Sequence, residues 1–339
     1  MQFGRFLLKD ALGTILAHTI ATKSRVIKKG RILSRDDLED IKAAGYHEVL
    51  AAKLEDFDIN EDVAARRIAD CISFEHIRAG PATTGRVNFY AEKSGLFCVS
   101  PGLINAINRV DSSITISTLA PFTRTTPGML VATIKIIPFA VDEKHMEMVQ
   151  TLANNQQAFA VEPFVPKKVG LIQTLLPNIK TTVLNKTVNV TANRVAQNTG
   201  SLISEIQIEH DANIIAQAID YTLKKADMAI IFGASVVCDP DDIVPQAIRL
   251  SGGTIERIGM PVDPGNLLIL ASRNNKPVLG APGCSRSPKE NGFDWILDRI
   301  MADIKVDDHM ISDMGVGGIL SEIPNRPSPR EAIKTEDRG

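Results

Sequence analysis

Between residues 169 and 300 the chain alternates short apolar runs with amphipathic stretches, and this alternation limits its second half to few folds. The spacing predicts strands at 169–173, 203–208 and 228–232, with helices at 187–197, 213–224 and 242–251 between and after them. Extended segments at 266–272 and 276–280 and a helix at 292–302 complete the series. Met228-Ala229-Ile230-Ile231-Phe232 is continuously apolar, the pattern of a strand covered on both faces of a parallel sheet. It runs directly into Gly233-Ala234-Ser235. Strands alternating with helices in this way imply an α/β fold, a three-layer doubly wound and mostly parallel sheet.

The first half has a different texture. Ser34 is suited to cap a helix over 35–44, with Asp36, Asp37 and Glu39 in its first turn, where the macrodipole favours acids, and Gly45 at its end. A strand at 47–52 and a helix at 60–69 follow, then a Gly-, Pro-, Ser- and Thr-containing stretch over 79–133 that reads as mostly β, interrupted by a short helix at 103–109. A strand at 129–139 and a helix at 142–153 lead to 158–166, which Pro163 and Pro166 mark as a strap or linker. The expected organisation is an α+β, β-rich region at 1–165, an α/β domain at 166–310 and a tail at 311–339.

With 339 residues, two packed units are the default. A net charge of −2 gives no global field for nucleic acid or an anionic membrane surface. The longest apolar runs fall far short of the roughly 20 residues that cross a bilayer. The N-terminus has no apolar block with a cleavage site, so a mature cytoplasmic protein is expected. Cys71, Cys98, Cys238 and Cys284 are isolated, and His18, His47, His76, His145 and His309 show no metal spacing.

In an open α/β sheet, ligands bind beyond the carboxyl ends of the strands. Three loops there carry candidates. The first is 233–242: Gly233, Ala234 and Ser235 allow close backbone approach to an anion, and Asp241 or Asp242 is either a metal ligand or a helix cap. The second is 280–289, where Pro282 and Gly283 make the turn and Ser285, Ser287, Arg286 and Lys289 suit a phosphate; the alternative is a solvated turn. The third, 260–266, displays Asp263 and Asn266, which can read a heterocycle edge or act as turn residues. Lys186 could reach a phosphate, although a surface lysine is the commoner outcome. His210 and Asp211 fit local structure at a helix start, and Cys284 fits packing better than nucleophilic chemistry.

At these loops the sequence resembles the molybdopterin-binding domain shared by molybdopterin adenylyltransferases and molybdotransferases. The likeness lies in Gly233-Ala234-Ser235 with Asp241 or Asp242, and in Pro282-Gly283 after a strand. The strings at 259–268 and 280–289, and Gly315-Val316-Gly317-Gly318 through Arg330, look like a molybdotransferase-like subgroup, in some members of which a nucleotidyltransferase domain follows. The N-terminal half is only loosely similar, at 11–17 and 30–49. The resemblance implies binding of molybdopterin or its nucleotide form in cofactor biosynthesis or insertion, with phosphate at Ser235, Ser285 and Arg286 and the pterin at Asp263 and Asn266. It implies Mg²⁺ at Asp241 or Asp242, which are also the catalytic candidates if adenylyl or molybdate transfer occurs.

The sequence departs from the family at the first strand, where Leu171-Ile172-Gln173-Thr174-Leu175-Leu176 lacks the active-site acid, and at Cys284, where an Asn is usual. Losing a carboxylate removes a natural Mg²⁺ ligand, so binding is better supported than transfer. A scaffold for molybdoenzyme maturation is the third reading. Expected partners are the pterin, a nucleotidyltransferase or molybdoenzyme, and a second copy of the chain.

Overall fold

The computed structural model describes residues 1–320 except Asn178, Val236 and Cys238. Two expected features are affected: part of the first loop, and the family-like segment from 321 onward, lie outside the described residues. The chain divides into two compact units, Met1–Pro163 and one from Phe164 onward. Among the described residues no helix is long and apolar enough to cross a membrane.

The first unit is built around two clusters. Near its start, antiparallel strands Gln2–Leu7, Glu48–Lys53 and Ile15–Leu16 pair in one sheet. Leu16, Val49 and Ala51 form one core with Ile41 of helix Arg35–Ala43. That helix begins on the expected cap: Ser34 accepts from Asp37 N while the Asp37 carboxylate takes the Ser34 N–H, a reciprocal capping box.

The larger cluster joins helices Glu61–Cys71, Pro101–Asn108 and Glu143–Ala153 to two four-stranded sheets. The expected strap at 158–166 is corrected by the structure. Gln157–Pro163 is a strand inside one of these sheets, antiparallel to Gly95–Val99 and parallel to Ser73–Glu75, with Ala158 through Val161 buried. Pro163 ends that strand, past Ala160, where the pairing with Ser73–Glu75 stops.

In the second unit we number the elements β1 (Lys168–Leu175), α1 (Thr181–Gln197), β2 (Ser201–Glu209), α2 (Ala212–Leu223), β3 (Met228–Phe232), α3 (Ile243–Leu250), β4 (Thr254–Ile258), β5 (Ile269–Arg273), β6 (Lys276–Ala281) and α4 (Gly292–Met301). The six strands form one mixed, mostly parallel sheet in the order β2-β1-β3-β6-β5-β4; β2, β1, β3 and β6 are parallel, and the β5 and β4 pairings are antiparallel. All five residues of β3 are buried, as its unbroken apolarity requires.

Strand alternation divides the side chains between the faces. Ile172, Ala229, Ile231 and Val278 share one core with Ile215 and Ile219 of α2 and Ile248 of α3. Phe232, one residue after Ile231, lies 6.5 Å from Phe293 of α4. Helix α2 sits very close to the sheet: a Cβ on Gly170 of β1 would come within 2.1 Å of Thr222 Cγ2. Two elements differ from expectation. Helix α1 starts at Thr181 rather than around 187; with no side-chain cap from Lys180 and the β-branched Thr181-Thr182-Val183 in its first turn, the sequence carries no start signal there. Strand β4 follows the Gly252-Gly253 stop, where no strand was predicted, and its half-exposed residues carry little apolar signal.

Candidate functional site

The parallel strands β1, β2 and β3 end side by side, and their last residues meet. Thr174 of β1 is fully buried, and its Oγ1 accepts the Ala234 N–H at 2.7 Å. The same oxygen is 2.8 Å from Nδ1 of His210, the residue after β2. His210 Nε2 is 2.9 Å from the Ser235 Oγ beyond β3. Burial pushes the His210 imidazole pKa down from 6.5, against a smaller upward pull from Asp242. The array therefore favours a neutral ring whose two nitrogens bridge two hydroxyls.

Arg286 enters from the loop after β6. Its Nη1 donates to Thr187 Oγ1 of α1 at 2.6 Å and to Gln173 Oε1 of β1 at 3.1 Å, and Nη2 lies 3.4 Å from the Gly233 carbonyl. The guanidinium sits 4.7 Å from the centre of the Phe232 ring. No carboxylate pairs with it among the described residues, and burial alone lowers its pKa. A half-buried cation with only neutral partners has lost water without gaining an anion.

Ser235 and Arg286 line the same cleft, of about 180 Å³. Ile231, Val244 and Ile269 make its apolar floor, while backbone from Gly233–Ser235 and Gly280–Gly283 forms the rim. Its volume is below the roughly 300–1,000 Å³ of sites that swallow a whole drug-sized ligand, so it suits one end of a larger molecule.

The Arg286 loop is anchored from beneath. Arg194 of α1, 5% exposed, forms a buried ion pair with Asp294 of α4. It also donates to the carbonyls of Ser285, Ser287 (2.8 Å) and Lys289 (3.0 Å). Asp294 closes the capping box of α4 by accepting the Asn291 N–H at 2.9 Å. One guanidinium thus ties together α1, α4 and three carbonyls of the loop.

Of the residues predicted from sequence, the structure brings Gly233, Ala234, Ser235, Pro282, Gly283 and Arg286 to this cleft. Ser285 is fully buried and donates its hydroxyl to the Pro282 carbonyl within the turn, which removes it from the lining. Lys186 is exposed on α1 and outside the lining. The Asp241 side chain is 92% exposed and lies 3.4 Å from Arg249. Asp242 caps α3, accepting from Ile243 N at 2.7 Å.

Among the described residues no three or more His, Cys, Asp or Glu stand together as a metal cluster. In the third loop, Asp263 exchanges backbone hydrogen bonds with Gly318 and Leu320, and Asn266 Nδ2 is 3.4 Å from the Met260 carbonyl. That loop reaches the cleft through Leu267. Cys284 is half-buried, and burial, with a smaller contribution from Asp263, pushes its thiol up, away from a reactive thiolate.

Four residues of the site were not among the predicted ligands: Gln173, Thr174, Thr187 and His210. Asp211 does cap α2, accepting from Asn213 N and Ile214 N, but the His210 ring turns to Thr174 and Ser235 rather than to local backbone. A signal existed, since Thr174 lies at the carboxyl end of β1, and His210 and Ser235 lie just beyond the carboxyl ends of the neighbouring parallel strands β2 and β3.

Comparison with known proteins yields little. A family model described as a domain of unknown function (DUF8806) matches residues 6–53, a small part of the chain. No curated protein matches. Among solved structures, the molybdopterin biosynthesis protein MoeA from Pyrococcus horikosii is 12% identical, over 89% of this chain and 75% of that one, with a TM-score of 0.32. CinA from Thermoplasma acidophilum, of unknown function, is 16% identical over 41% of this chain and 100% of its own, also with a TM-score of 0.32. Scores this low carry no weight for fold or function.

Proposed function

We propose that the unit from Phe164 onward is a three-layer, doubly wound domain that binds molybdopterin or a nucleotide derivative of it in cofactor biosynthesis or insertion. The phosphate lies against Arg286 and the Ser235 hydroxyl at the strand ends, and the apolar floor takes the flat part of the ligand nearest to it. Asp263 and Asn266 stand on the loop that borders the cleft at Leu267 and read the pterin edge once the ligand extends past the rim.

The observation that carries the reading is Arg286, a half-buried guanidinium at the carboxyl ends of parallel strands with neutral partners only. An anion there gains charge-assisted hydrogen bonds from a cation already desolvated and held in place. The choice of a molybdopterin phosphate rests on the sequence strings at 233–242 and 280–289. Binding is favoured over adenylyl or molybdate transfer because Asp241 and Asp242 stand outside the cleft lining and β1 closes with Gln173, Thr174 and Leu175 instead of an acid.

The test is equilibrium binding of molybdopterin to the full chain, followed by the fluorescence of the oxidised pterin. The wild-type protein should retain pterin, and Arg286→Ala should lose about 1.5–3 kcal/mol, roughly a tenfold to hundredfold weakening. Wild-type protein that retains no pterin, or an Arg286→Ala variant that binds equally well, refutes the assignment.

A further inference from the structure

The cation in the cleft is held by groups with no charge of their own, and the directions of their hydrogen bonds are fixed. Thr187 gives its hydroxyl proton to the Val183 carbonyl at 2.8 Å, so towards Arg286 it can only accept. The fully buried Gln173 amide has one workable orientation. Its Nε2 donates to the Glu205 carboxylate at 2.8 Å and to the Leu184 carbonyl at 3.2 Å, which turns Oε1 towards Arg286. Flipping the amide would set NH₂ against a guanidinium and a carbonyl against a carboxylate. The acid on this chain of contacts, Glu205, is therefore a full side chain away from the cation, on the exposed side of β2, where it also takes Gln207 Nε2 at 2.8 Å.

Ser235 presents the same polarity to a ligand. Thr174 already accepts the Ala234 N–H, and its own proton has the His210 Nδ1 as partner. In the tautomer in which Nδ1 accepts the Thr174 proton, the neutral ring donates from Nε2 to Ser235 Oγ and leaves the Ser235 proton for the ligand. In that tautomer the polar side chains lining the cleft, Ser235 and Arg286, offer hydrogens and a positive charge.

We propose that Gln173 is a specificity-determining positioning residue: it fixes Arg286 without neutralising it, so that the cleft selects the doubly charged, acceptor-only form of a phosphate monoester over singly charged anions. This rests on the phosphate-binding reading above. An acid at 173 would pair with Nη1 and cancel the charge that a second ligand charge is attracted to, whereas the amide holds the same geometry and leaves the charge available.

The experiment compares phenyl phosphate with benzenesulfonate, a singly charged anion of similar shape, by calorimetric titration of the full chain near neutral pH. Wild-type protein should prefer phenyl phosphate by about tenfold or more, and Gln173→Glu should bring the two affinities to within about twofold of each other. Glu205→Gln, an exposed change that leaves Gln173 in place, should keep or widen the preference, and it provides a second reading should Gln173→Glu fail to fold.

A merely structural role for Gln173 would weaken both probes equally and preserve their ratio, which overturns the proposal while leaving phosphate binding intact. A wild-type ratio near one, or a ratio that collapses in Glu205→Gln, also overturns it. Wild-type protein that binds neither probe refutes the phosphate-binding reading and this inference together.

Discussion

Replacing Arg194 by alanine should be the most damaging single change near the cleft, although Arg194 does not line it. The guanidinium is buried against Asp294 and supplies hydrogen bonds to three loop carbonyls. Removing it strands the Asp294 carboxylate, 8% exposed, and the fully buried Ser285 turn, while the half-buried Ser287 and exposed Lys289 can recruit water. Breaking a buried ion pair from one side costs about 3–5 kcal/mol, out of a typical total near 5–15 kcal/mol.

Trp295 is the chain's only tryptophan and sits next to Asp294 in α4, so its fluorescence during urea unfolding reports on this region directly. The midpoint should fall sharply in Arg194→Ala. In the double variant Arg194→Met with Asp294→Leu, most of the loss should return, less about 1 kcal/mol for the cap that Asp294 gives α4. A cost below about 1 kcal/mol for Arg194→Ala, or no coupling between the two positions in the double-mutant cycle, would refute the clamp.

Other positions give independent tests. Burial raises the Asp37 carboxyl, but hydrogen bonds from Arg31 and from the Ser34 backbone and hydroxyl outweigh it and hold the pKa at about 2 against the ordinary 3.8. Its folded pKa is depressed, so the stabilisation, at most about 2 kcal/mol, is complete above pH 3.8 and disappears as pH falls towards 2. The stability gap between wild type and Asp37→Asn in denaturant melts should therefore close in acid; a gap independent of pH counts against it. The His210 ring should titrate in NMR with a midpoint below 6.5, and a midpoint above that value would contradict its burial between two hydroxyls. Gly170→Ala should cost about 1–3 kcal/mol from the clash with Thr222 Cγ2, and Thr222→Ser, which lacks that methyl, should restore much of it in thermal melts.

What was legible in the sequence follows from how local its cause is. The β3 strand, the Ser34 cap and the Asp211 cap each depend on a handful of neighbouring residues, and all three appear as read. The strap reading of 158–166 failed because prolines were weighed above the buried Ala158–Val161 run, and it was non-local pairing with Gly95–Val99 that made it a strand. The carboxylates at 241 and 242 drew attention by charge, yet an acid at a helix start is satisfied by its own backbone, as Asp242 is at Ile243 N. Ser285 misled similarly: a hydroxyl beside an arginine suggests a phosphate loop, but the turn consumed it.

The residues that make the cleft polar are those whose significance is entirely tertiary. Gln173, Thr174, Thr187 and His210 carry no motif, and in sequence each reads as an ordinary strand or helix residue. Sheet order brings them together: with β1 between β2 and β3, the ends of these strands must adjoin, and parallel register puts Thr174 beside Ile208 in β2, two residues before His210. The same order shows what an acid at the end of β1 would do. A carboxylate at the end of β1 would face Arg286 from the Gln173 position and neutralise it, whereas an amide passes the contact on to Glu205 at the sheet's edge. With an amide at this position rather than a carboxylate, the guanidinium keeps its charge and can itself meet an anion in the cleft.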